Sequence, residues 1–294
     1  MDLRNPDSTG VLASDNPTTV RSQTARTQQQ HLREMVKVLV SHWPEYILEG
    51  LELGVFMFSA CTFTVLLFHP SSPVSGNIGS ESLRRVLMGL AMGITAIAIV
   101  FSPAGKRSGA HFNPAVTLTF LRLNKVKPWD AAFYTLFQFG GGIIGVVVAS
   151  FTLGNLISHM TVNYAATLPG PLGSGPAFLA EIVISFVLMI TVLTISNIQA
   201  LNRFTGLFAG TLVAIYISLE SPISGMSMNP ARTFASAAVG NIWHSLWIYF
   251  TAPPIGMLLA AEVYTRLRGR HAPRCAKLHH QNNARCIFNC DFNR

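Results

Sequence analysis

Charge is what this chain lacks. Asp, Glu, Lys and Arg make up 12% of its 294 residues, about half the share found in a soluble domain. Hydrophobic residues make up 50%. A soluble protein of this length must face water on every side, and this composition cannot do so. That excludes one large soluble domain or two small ones. Acidic residues are the scarcest charges, 13 against 21 Lys and Arg, and the net charge is +8. A nucleic-acid-binding surface is one reading of that excess, and the positions of the basic residues argue against it. They precede the first apolar run (Arg4, Arg21, Arg26, Arg33, Lys37), separate the second from the third (Lys106, Arg107, Arg122, Lys125, Lys127) and the fourth from the fifth (Arg203), or follow the sixth (Arg266 to Arg294). Ser158 to Pro176 has none, and only Arg84, Arg85 and Arg232 fall elsewhere. Basic residues gathered on one side of apolar runs report membrane topology, so both termini are expected in the cytoplasm.

A secretory signal is also missing, since the first 40 residues are polar and carry no short apolar core. That fits a plasma membrane or a bacterial inner membrane. Residues 1–42 and 269–294 are expected to be disordered cytoplasmic tails. Cysteine is scarce, at four residues. Cys61 falls in an apolar run as a small core residue. Cys275, Cys286 and Cys290, with His279 and His280, match no standard zinc spacing, so free thiols and no metal are expected.

What the chain does have is apolar runs: Tyr46–Phe68, Val86–Phe101, Trp129–Ile157, Ala177–Ser196, Phe204–Leu219 and Ile242–Tyr264. A helix crosses hydrocarbon with about 20 apolar residues. Four runs meet that length and the second and fifth are marginal. The expectation is an all-α membrane protein with six transmembrane helices in a channel domain at residues 43–268.

The domain repeats itself. "LEGLELGVFMFSA" with "SGAHFNPAVTLTF" (repeat one, about 46–157) is echoed by "AEIVISFVLMITV" with "SGMSMNPARTFAS" (repeat two, about 177–264). Three spans per half leave the halves in opposite orientations, which makes an inverted repeat. One Asn-Pro-Ala is an ordinary helix start, because Asn caps well and Pro suits the first helical position. Two copies in inverted halves are far more specific. Each precedes a helical stretch too short to span, Ala115–Leu121 or Ala231–Val239, reaching about 10–14 Å at 1.5 Å per residue. Irregular backbone before each is tolerated at membrane depth only inside protein or beside a wet cavity. Two re-entrant half-helices are therefore expected to meet tip to tip. Asn113, Pro114, Ala115 and Asn229, Pro230, Ala231 would lie at the junction. Each Asn carbonyl would cap its own helix, leaving the NH₂ to donate into a lumen. Carbonyls of Gly109, Ala110, His111, Gly225, Met226 and Ser227 would line the approaches.

These motifs, with Glu49 and Glu181 in the corresponding first spans, resemble the aquaporin (major intrinsic protein) family from Tyr46 to Leu267. The resemblance implies a passive channel in the lipid bilayer, a homotetramer with one pore per subunit, no cofactor and no enzymatic activity. It also implies roles: Glu49 and Glu181 accept hydrogen bonds from re-entrant backbone, and Arg232 forms the outer constriction. Counting from Asn229 gives Met226 and Ile217 as its neighbours in that ring. An offset near Ser102-Pro103 leaves Met92 or Gly93, with Met88 a further candidate, for the fourth position. Glu52 has no counterpart and no assigned role, and His111 is a scaffold histidine beside the pore. A ring of Met, Ile, Met and Arg is more apolar than a strict water filter, so glycerol or another small neutral solute is expected besides water. An ion-coupled transporter and a non-conducting structural protein are the alternatives. The first needs acidic groups at the midplane, where this sequence places amides.

Overall fold

In the computed structural model, residues 17–269 and 271–292 are described. They divide into two units, Met1–Ser41 and His42–Arg294. The described residues of the first unit are helical and belong to α1 (Pro17–Phe68), which continues into the second unit. After α1 come α2 (Pro73–Asn77), α3 (Glu81–Phe101), α4 (Pro103–Ser108), α5 (Pro114–Arg122), α6 (Pro128–Leu153), α7 (Ser174–Asn197), α8 (Thr205–Leu219), α9 (Ser221–Ser224), α10 (Pro230–Gly240) and α11 (Leu246–Arg268). No strand occurs among the described residues.

The N-terminal tail thus departs from expectation from Pro17 onward, while residues 1–16 lie outside the described residues. The stretch "TARTQQQHLREMVKVL" is rich in good helix formers. A helix already nucleated in the apolar run extends through it at the small cost of propagation.

Among the described residues, five helices are long and apolar enough to cross a membrane, namely α1 from Gln28, α3, α6 extended to Leu156, α7 and α11. The fifth expected span, α8, has 15 residues. At 1.5 Å per residue it reaches about 22 Å, short of the hydrocarbon core. A 3₁₀ turn at Asn202–Phe204 precedes it and α9 follows it.

Glycines set how these helices meet. A Cβ on Gly141 would lie 1.9 Å from the Gly50 carbonyl oxygen, and one on Gly145 would lie 2.2 Å from that of Gly54, so α1 and α6 touch backbone to backbone. Between α3 and α8, Gly89 abuts Ala214 and Ser218, while Gly93 abuts Gly210 and Ala214. The short helices pack across the repeats, α5 against α11 and α10 against α6. Each half therefore holds the half-helix of the other.

Candidate functional site

The two Asn-Pro-Ala segments open α5 and α10. Asn113 Oδ1 accepts from Ala115 N at 2.9 Å, and Asn229 Oδ1 accepts from Ala231 N at 3.0 Å and Arg232 N at 3.2 Å. Pro114 and Pro230 fill the first helical position, where no N–H is needed. The half-helices run 9 and 11 residues, about 14 and 16 Å, slightly longer than the sequence suggested.

The amides do more than face a lumen. Asn113 Nδ2 donates to the Met228 carbonyl at 2.7 Å, and Asn229 Nδ2 donates to the Phe112 carbonyl at 2.8 Å. Each spends one of its two N–H bonds on the opposite loop, which ties the half-helix tips together reciprocally, and keeps one.

The loops before the tips are strained in the same way. Gly109 and Gly225 have φ of 111° and 80°, and Ala110, Phe112, Met226 and Met228 are left-handed although they carry side chains. Such residues cost about 1–3 kcal/mol each and persist only when surroundings fix them. Buried carboxylates do the fixing. Glu49 accepts from His111 N (2.9 Å), Phe112 N (2.7 Å) and Gln138 Nε2 (2.9 Å). Glu181 accepts from Ser227 N (2.7 Å), Met228 N (2.8 Å) and Ser224 Oγ (2.7 Å).

Residues without an assigned role complete the frame. Tyr134 and Tyr249 donate to the Ser108 and Ser224 carbonyls at 2.6 and 2.5 Å. Ser108 and Ser224 each accept at 3.0 Å from the amide two residues on. The halves diverge at one partner. Pro253 stands where repeat one has Gln138 and Ile184 where it has Glu52, so Glu181 takes Ser224, whereas Ser108 turns to Glu52 at 2.7 Å. The repeated Ser-Gly and the tyrosines of the third and sixth spans were the sequence signal for this frame.

A cavity of about 470 Å³ runs past both Asn residues. Its wall includes Ala110, His111, Gly225, Met226, Ser227, Ile217 and Arg232. Arg232 Nη1 also donates to the Ala165 carbonyl at 2.7 Å, holding the segment between α6 and α7. His111 is hydrogen-bonded through both ring nitrogens, to Thr117 Oγ1 (3.1 Å) and the Ala276 carbonyl (2.8 Å).

Gly109 and the span-two candidates sit as follows. The Gly109 carbonyl accepts from Leu278 N at 3.1 Å, and a Cβ on Gly109 would lie 2.7 Å from the Phe288 ring. In span two, Met88 and Met92 both line the cavity, whereas Gly93 faces α8.

The C-terminal tail is also not loose. Cys275, Ala276, Lys277, Leu278 and Phe288 are buried, and Leu278 forms part of the cavity wall. The His111 ring lies stacked with Phe120 (5.2 Å between centroids) and Phe288 (5.4 Å). The segment lacks helix and strand among its described residues, which is why no periodicity announced its packing.

Inverted halves with capped half-helices meeting tip to tip at a cavity lined by both asparagines define a membrane channel scaffold. The chain belongs to the major intrinsic protein family, whose profile matches residues 36–264. It is 35% identical over 228 residues to Aquaporin NIP2-3 of Zea mays, covering 76% of this chain and 73% of that protein. It is 32% identical over 202 residues to Aquaporin NIP6-1 of Arabidopsis thaliana, covering 68% and 64%. Its fold is similar to that in the X-ray structure of the aquaglyceroporin from Plasmodium falciparum, with a TM-score of 0.62 at 21% identity, covering 77% of this chain and 96% of that one.

Proposed function

We propose that the protein is a passive channel for water and small neutral solutes of the glycerol class, which excludes ions and protons. The observation that carries this reading is the reciprocal tie of Asn113 and Asn229 inside the cavity. Two helix N-termini meet there, each worth about half a positive charge. A monovalent cation about 5 Å away, at an effective dielectric near 20, meets roughly 3 kcal/mol of repulsion, or about a hundredfold slower passage. A neutral solute takes the remaining amide N–H and the loop carbonyls without that barrier.

Arg232, Met226, Ile217 and a methionine of span two, Met92 or Met88, form the constriction in this reading, and all of them line the cavity. Three apolar side chains and one fixed cationic donor suit a solute with an apolar face and hydroxyls. The names of the aquaporin relatives and of the aquaglyceroporin agree with that class. Glu49 and Glu181 are structural, since their oxygens are taken by loop N–H groups and polar side chains. This weighs against an ion-coupled transporter, which needs free carboxylates at the midplane.

The chain crosses a cell membrane several times with both termini in the cytoplasm, as the basic residues argue. It assembles as a homotetramer, with apolar residues exposed on α1 and α6 (Leu51, Val55, Leu136, Ile144) facing lipid or a neighbouring copy. Stopped-flow light scattering on proteoliposomes tests the solute class. Water and glycerol flux should both exceed that of empty liposomes, and Arg232→Ala should admit cations while keeping both. Water flux with no glycerol flux would reject the solute class.

A further inference from the structure

The tail that forms part of the cavity wall carries a second constellation. The Sγ atoms of Cys275, Cys286 and Cys290 and a ring nitrogen of His280 all lie within 4.8 Å of one another. Cys275 Sγ and Cys286 Sγ are 3.6 Å apart, and Cys290 Sγ is 2.9 Å from His280 Nε2. Zn–S bonds of about 2.3 Å and Zn–N bonds of about 2.0 Å in a tetrahedron set S···S near 3.8 Å and S···N near 3.5 Å. The thiol pair already has the edge of such a tetrahedron, and the Cys290–His280 pair must open by about half an ångström. His279 is not part of the group.

Two features suit an ion here. Three thiolates and a neutral imidazole around a divalent cation carry one net negative charge. Lys277, two residues from Cys275 and buried at 3% exposure, supplies a positive charge in the same segment, and its ammonium donates to the Ala284 and Arg285 carbonyls beside Cys286. The fold of the segment also needs a staple. The described residues from His271 to Phe292 contain no helix or strand, yet many side chains among them are buried. Segments this small and irregular hold a fixed shape through a cross-link, and a cytoplasmic location disfavours disulfides.

We propose that Cys275, His280, Cys286 and Cys290 form a tetrahedral site for a thiophilic divalent cation of the zinc class, which staples the C-terminal segment as a cap on the cytoplasmic mouth. Soft thiolate ligands in a Cys₃His set select zinc over calcium, magnesium or manganese. The stapled segment grips the mouth at several loops. Leu278 N bonds Gly109, Ala276 bonds His111, and Asn289 N donates to the Lys125 carbonyl at 3.0 Å. Lys125 Nζ pairs with Asp291 at 2.6 Å, Gln281 donates to Asn202 at 2.7 Å, and Arg274 N donates to Asn197 at 2.8 Å. Ion occupancy therefore fixes where Leu278 sits in the cavity wall.

The test uses the full chain, purified in detergent with a phosphine reductant, stripped with chelator and reloaded with Zn²⁺ or Co²⁺. The expected result is one tightly held ion per chain, with tetrahedral thiolate–cobalt bands in the visible spectrum. Cys286→Ser should lose the ion, and His280→Cys should keep it with a shifted cobalt spectrum, which separates ligand loss from misfolding. Failure of the intact chain to retain an ion would overturn the site, as would retention by a Cys286→Ser/Cys290→Ser variant. So would recovery of a Cys275–Cys286 disulfide from freshly isolated cytoplasm-facing protein. The cap has its own readout. Hydrogen exchange at residues 275–290 should accelerate on chelation, and unchanged exchange would overturn the staple. Neither readout depends on the channel reading, so either can fail without the other.

Discussion

At the scale of single residues, buried carboxylates hold strained backbone in place. Glu181 accepts three hydrogen bonds while buried, two of them from loop amides flanking left-handed Met226 and Met228. A glutamine there offers one acceptor oxygen and turns an NH₂ toward backbone donors. Hydrogen bonds to a charged group contribute about 1.5–3 kcal/mol, so Glu181→Gln should lose stability in that range, seen as a lower thermal midpoint in detergent. An unchanged midpoint would mean the loop holds itself. The motif asparagines behave differently from one another's neighbours but alike as a pair. Asn113→Ala and Asn229→Ala should each cut the tie between the tips and remove a helix cap worth about 1 kcal/mol. Because the two ties join the same tips, the double variant should show a coupling energy of about 0.5–3 kcal/mol rather than a simple sum. A double-mutant cycle on thermal midpoints measures it, and strict additivity would contradict the tie.

At the scale of elements, glycine decides which helices touch. Gly141 on α6 meets the Gly50 carbonyl so closely that any side chain must push the helices apart. Gly141→Val should cost about 1–3 kcal/mol or more by overpacking. Gly140, one residue away, has no neighbouring atom within 4 Å of a Cβ, so Gly140→Ala should keep or slightly raise the thermal midpoint, alanine being the better helix former. Equal effects at both would contradict the α1–α6 contact. This scale also separates what was legible in the sequence from what was not. Spans, the inverted repeat and the half-helices could be read because each depends on local pattern: an apolar run, a cap followed by proline, a repeated motif. The span-two position could only be narrowed to Met92, Gly93 or Met88, because the two methionines lie one turn apart on α3 and both line the cavity, whereas Gly93 faces α8. Gln138 acts on a loop far away in sequence and has Pro253 as its counterpart in the second repeat, so no local or repeated pattern marks it. The tail was hardest, since an irregular segment has no period and its ligands follow no standard spacing.

At the scale of the whole molecule, the parts serve one passage. Inverted halves bring two helix N-termini to the cavity, the cross-packing of α5 on α11 and α10 on α6 holds them there, and Arg232 and Leu278 share its wall. The most direct test is to block that passage where the register puts its narrow ring. Ile217 lines the cavity and is partly exposed to it, so Ile217→Trp should fill the lumen without disturbing the buried frame. Stopped-flow shrinkage of proteoliposomes should show rapid water flux for the wild-type chain and a fall of about tenfold or more for Ile217→Trp, equivalent to at least ~1.4 kcal/mol of added barrier. Equal flux from equal amounts of correctly folded protein would mean that water does not pass between Asn113 and Asn229, and the account of the site would be wrong.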